Sequence, residues 1–141
     1  MLRVVVIGPD KPIYHEADAA KPITPGQIVK LNADAEAIKN TVASNPNVAI
    51  SVAVENDLFG KGIDDPYAVG ERVIYQTLRS GCEFMGLVPA GTAAIDFDDP
   101  LTLDDAGNLI PGTDANSPLR ARTAVDNSGG ATPARVRAFV N

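Results

Sequence analysis

Short apolar runs that follow glycine-bearing turns recur along the chain. Pro25-Gly26-Gln27-Ile28-Val29-Lys30-Leu31 and Val69-Gly70-Glu71-Arg72-Val73-Ile74-Tyr75 carry the same phrase, and a fragment of it returns at Pro89-Ala90-Gly91-Thr92-Ala93-Ala94-Ile95. Glycine supplies positive φ at the turn, and β-branched residues at alternate positions suit a half-buried pleated surface. Val48 to Val54 alternates cleanly, with valines and Ile50 on one side and small residues on the other. Arg72–Leu78 and Cys82–Val88 flank Arg79-Ser80-Gly81, which predicts a hairpin. Leu101–Leu103 and Leu109–Ile110 flank an Asp-Ala-Gly-Asn turn and predict a second. Arg120–Val125 and Ala134–Val140 lie on either side of a longer turn-rich loop. Many short strands without long helices between them predict an all-β fold: a compact antiparallel β-barrel or sandwich.

The first residues read differently. Leu2 to Ile7 is an apolar strand-like run, and prolines at positions 9, 12, 22 and 25 follow it closely. Proline removes a ladder donor, so Gly8 to Thr24 is expected to be extended and poor in regular structure. This divides the chain into an N-terminal arm or strand, 1–22, and a β domain, 23–141. Ala33 to Ser44 is the one stretch of good helix formers, with Ala35, Ile38 and Val42 on a common face; it predicts a short helix or turn before Asn45-Pro46, and so at most one short helix in the chain.

Composition narrows the function. At 141 residues the chain is about one domain long and can bury a core without disulfides or metal. It has no Trp, so that core is aliphatic. A net charge of −6 argues against nucleic acid, which requires a basic stripe, and against an anionic membrane surface. The single cysteine, Cys82, excludes an intrachain disulfide and a Cys-based zinc site. The apolar N-terminal run is too short for a secretory leader, and no stretch is long and apolar enough for a membrane-spanning helix.

Candidate chemistry is sparse. Val4-Val5-Val6-Ile7-Gly8-Pro9 opens like a dinucleotide-binding unit but lacks the later glycines, and its prolines forbid the helix. The aspartates at 64–65, 96–99 and 104–105 invite a calcium reading, yet their spacing does not fit an EF-hand loop and Asp is itself a turn former. His15, the only histidine, and Cys82 could form a dyad only if the fold joined them. Catalytic residues, cofactor and metal are therefore all assigned as none, and the chain is read as non-enzymatic. A ligand- or host-surface-binding β module and a small hydrolase or isomerase remain as alternatives.

Three stretches, Glu55 to Val73, Phe97 to Leu109, and Ala124 to Gly130 with the terminal Ala134 to Val140, together resemble the small head decoration, or cement, proteins of tailed phages and related viruses. The resemblance implies a virion structural protein on the outer capsid surface, made in the host cytoplasm. It also implies a homotrimer at local three-fold positions, with the major capsid protein as partner. A clamp of this kind needs a rigid core and an arm that reaches a neighbour. The expected partner contacts are Leu2, Val4, Val6, Ile13, Tyr14 and His15.

Overall fold

In the computed structural model, which describes residues 2–8, 12–39 and 50–141, two antiparallel sheets face each other across the main core. The strands are β1 (Val5–Ile7), β2 (Tyr14–Asp18), β3 (Val29–Leu31), β4 (Ala37–Lys39), β5 (Ile50–Ala53), β6 (Arg72–Leu78), β7 (Glu83–Val88), β8 (Leu101–Leu103), β9 (Leu109–Pro111), β10 (Leu119–Ala121) and β11 (Ala134–Val140). One sheet has the order β1-β7-β11-β10, the other β2-β6-β5, and β3-β4 and β8-β9 form two-stranded ladders. The barrel-or-sandwich expectation resolves to a sandwich-like β fold.

Alternation explains the core. Phe84, Val88, Val136, Ala138 and Val140 point inward from the four-stranded sheet and meet Ile50, Val52 and Leu78 from the other. The β8–β9 hairpin forms as expected and adds Leu101, Leu103 and Leu109. Gly86 makes room for it, because a Cβ there would sit 2.3 Å from a Leu109 methyl. A smaller core lies on the opposite face of the three-stranded sheet, built from Ala17, Ile23, Val29, Ala37, Ala53, Tyr67 and Val73. The β3–β4 ladder covers it, tied by the Ile28–Val52 bridge to β5 and by the Ala19–Ala37 bridge to the end of β2.

Three expectations change. Arg72–Leu78 and Cys82–Val88 are strands but not a hairpin: β6 pairs with β2 and β5, whereas β7 pairs with β1 and β11. Leu78 and Cys82 are both buried in the main core, so the turn between them carries the chain from one sheet to the other. A tight Gly turn serves either connection, and the distant partners of each strand decide between them. Of the short helix or turn expected from Ala33, the described residues up to Lys39 form the turn and not the helix. The Asn32 side chain instead accepts hydrogen bonds from the N–H groups of Asp34 (3.0 Å) and Glu36 (2.9 Å), Ala35 takes φ 59°, and β4 follows. Residues 40–44 of that stretch, and 48–49 of the alternating run ending at Val54, lie outside the described residues.

The third change concerns the arm. β1 pairs with β7 of its own chain, and β2 pairs over its full length with β6. Val4 is completely buried in the main core. The described part of 1–22 is thus built into both sheets and is not a free arm. Removing residues 1–7 is expected to lower unfolding free energy by about 3 kcal/mol or more, because it empties the Val4 site and bares the β7 edge. Urea denaturation followed by circular dichroism checks this, and unchanged stability would show that β1 is dispensable.

Arg135 staples the turn at Gly26 to the sheet. Its guanidinium donates to the carbonyls of Pro25 (2.8 Å) and Ile63 (2.5 Å) and to the Asp64 carboxylate (2.9 Å). Gly26 has φ +96°, and an added Cβ would meet Arg135 at 2.5 Å and the Met85 carbonyl at 2.6 Å. Gly70 has φ +82° with open space around it. Gly26→Ala is therefore expected to destabilise by about 3 kcal/mol, and Gly70→Ala by only the left-handed backbone cost of about 1–2 kcal/mol. Urea titration of both variants checks the difference.

Candidate functional site

The two sheets part at one end, where their edge strands β1 and β2 flank a groove of about 450 Å³. Its walls come from Arg3, Val5, Gly8 and Pro12 on one side and from Tyr14, Glu16, Ile74 and Gln76 on the other, with Val54, Glu55, Asp57 and Leu58 at one end. The period of two places these residues. Tyr14, Glu16, Ile74 and Gln76 occupy one face of the β2–β6 pair, while Ala17 and Val73, on the opposite face, enter the smaller core.

Glu55 organises the end of the groove. It is only 5% exposed, and its carboxylate accepts the Val4 N–H at 3.0 Å. Arg3 lies 3.8 Å from it and 3.0 Å from Asp57. A buried carboxylate is costly unless it is paired and hydrogen-bonded, and here both conditions fix β1 against the loop after β5. Behind it the Tyr67 hydroxyl donates to the Val54 carbonyl at 2.7 Å. Burial pushes this phenol up to about 12, with Glu55, Asp57 and Glu71 adding to the rise and a main-chain hydrogen bond at Ile74 opposing it.

Of the expected contact residues, Leu2, Val6, Ile13 and Tyr14 are exposed on the segments that border this groove. Val4 is a correction: it is core. His15 is exposed and stacks on Tyr75 at 5.2 Å, on the face of β2 opposite to Tyr14. The structure does not bring His15 to Cys82, which is buried in the main core. Leu58 and Phe59, 84% and 79% exposed on a single 3-10 turn at Asp57–Phe59, were not anticipated, nor was Glu55. Glu55 directly follows the alternating run that ends at Val54, where nothing local distinguishes a buried carboxylate from a solvated one. The aspartates serve their turns: Asp65 accepts the Gly62 N–H at 2.6 Å, Asp99 that of Asp96 at 2.8 Å, and Asp104 those of Ala106 and Asn108 at 2.8 and 2.9 Å.

A second patch lies on the outer face of the four-stranded sheet. Arg122 covers the Phe139 ring at 4.1 Å and approaches Phe97 at 5.9 Å, and Glu83 lies between Arg122 (3.8 Å) and Arg137 (2.5 Å). These charges are matched within the chain. The groove, by contrast, is lined by three carboxylates and one cation.

No family model matches the chain, and no curated protein is similar to it in sequence. Among solved structures, the fold is similar to that of the head fiber gp8.5 N base in bacteriophage phi29. The TM-score is 0.58 at 13% sequence identity, over 93% of this chain and 95% of that one. The likeness extends over nearly the whole of both chains and concerns the fold.

Tyr67 gives the site a pH signature. The phenol sits near 12 in the folded chain and about 10 when unfolded, so its contribution is complete below the lower value and is lost as pH rises toward the upper one. Stability is expected to fall by up to about 3 kcal/mol across that window, and Tyr67→Phe is expected to remove most of the fall at a cost of about 1 kcal/mol at neutral pH. Urea titrations on either side of about pH 10 check it, and parallel pH dependence in the variant would refute it.

Proposed function

We propose that this chain is a non-enzymatic virion structural protein that seats on the outer surface of an icosahedral phage head, as a homotrimer at local three-fold positions, with the major capsid protein as its partner. The observation that carries the reading is the fold shared, nearly end to end, with a head fiber base. The sequence resemblance to head decoration proteins supports it independently. Three features of the chain suit the role: a rigid double-sheet core, exposed apolar residues beside one open end, and acidic turns whose carboxylates are used by their own backbones.

The proposal separates attachment from catalysis. A docking protein draws its affinity from buried apolar anchors and a polar rim, and Leu58, Phe59, Ile13 and Tyr14 are such anchors. The ligand-binding alternative predicts clustered aromatics, whereas Tyr14 is the one aromatic among the groove's lining residues. Light scattering after size exclusion is expected to give a trimer, alone or once bound, and purified empty heads are expected to co-sediment the protein. Leu58→Asp, at an exposed position, is expected to weaken sedimentation by about 10-fold or more without changing the fold. A monomer that fails to sediment with heads overturns the reading.

A further inference from the structure

Strand edges single out one part of the groove. The β5 edge is covered by the chain's own segment: Gly26 donates to the Ala53 carbonyl (2.8 Å), and Ala53 donates to that of Gln27 (3.0 Å). The β10 edge is covered in the same way, with Asp98 donating to the Ala121 carbonyl (2.9 Å) and Ala121 to that of Asp99 (3.0 Å). The far end of β2 is closed by Ala20, which donates to the Ala37 carbonyl at 3.1 Å. Among the described residues two edges remain beside the groove, that of β1 and that of the near half of β2, from Tyr14 to Glu16.

The free groups of this stretch of β2 follow from the register. Ala19 donates to the Glu71 carbonyl beside β6, and Ile74 on β6 gives its carbonyl to Val54 on the opposite side. In an antiparallel ladder the peptide groups alternate in direction, so His15 and Ala17 turn theirs toward β6, and Tyr14 and Glu16 turn theirs outward. Among the described residues nothing bonds those outward groups. The Tyr14 and Glu16 side chains line the groove, so a strand laid along this edge would point its alternate side chains into the same space.

Charge selects the occupant. The groove lining carries Glu16, Glu55 and Asp57 against the single cation Arg3, and Arg3 is engaged by Asp57 and Glu55. No described cation lies within ion-pairing distance of Glu16. We propose that the mouth between β1 and β2 receives an extended, lysine- or arginine-bearing segment of a partner chain, which adds to the free edge of β2 and sets its cation against Glu16. Main-chain hydrogen bonds supply affinity in this mode, and the alternate side chains supply specificity. The inference deepens the attachment reading by naming the chemistry of the attached segment.

The probe is a short blocked peptide that alternates valine with lysine, tested beside a valine–glutamate counterpart and a form of the lysine peptide N-methylated on its edge-facing amides. The lysine peptide is expected to shift the amide resonances of residues 14–18 and to slow hydrogen exchange at Tyr14 and Glu16. The glutamate peptide is expected to bind about 10-fold more weakly, and Glu16→Lys, at an exposed site, to reverse the preference. N-methylation is expected to abolish binding. The inference is overturned if no peptide binds, if the shifts map elsewhere, or if N-methylation or Glu16→Lys leaves affinity unchanged. Head sedimentation is read separately: failure there with peptide binding intact overturns the attachment reading alone.

Discussion

Every peptide group on a strand edge needs a hydrogen-bond partner or water, and the arrangement of this chain follows from how it meets that requirement. Its strands are short, so each sheet has edges close to its core, and loops from elsewhere in the sequence lie against two of them. The segment at 26–28 covers β5, and the segment at 98–100 covers β10. Both covering segments are turns in the sequence, with Gly26 and Asp98 at positive φ. Among the described residues, the other edges of the two main sheets, β1 and the near half of β2, lie together at the groove. An exposed strand edge invites pairing with another chain, so the open end is the liability of this fold and the place where the proposed attachment would act.

Buried and half-buried polar side chains hold the turns in place. Gln27 receives the Thr24 N–H at 2.8 Å and reaches Asn108 at 3.0 Å, tying the turn at 26 to the β8–β9 hairpin. Asn127 donates to the carbonyls of Pro89 and Thr132, each at 3.0 Å. Arg135 performs the same task from the outer face of β11. Gln27 and Asn127 are withdrawn from water and bonded, so losing either leaves a desolvated partner behind.

The fold likeness to a head fiber base at 13% identity fits this physics. A sandwich requires alternation and turn chemistry, and many unrelated side chains satisfy both. What the shared fold leaves free to vary is the chemistry at the open edges, here an acidic lining beside exposed apolar residues.

The sequence by itself determined the all-β class, the turns at Gly26, Gly70 and Gly91, most of the strands and the β8–β9 hairpin, because these rest on period-two alternation and local backbone preference. Tertiary structure alone decided that β6 and β7 belong to different sheets, that Ala37 starts a strand and not a helical turn, that Val4 is core, and that Glu55 is buried beneath Arg3. Each of those outcomes depends on a partner far away in sequence: β2 for β6, Ala19 for Ala37, Met85 for Val4, and Val4 for Glu55. Local pattern sets which residues face a core, but pairing across long loops sets which core they face and which edges are left open.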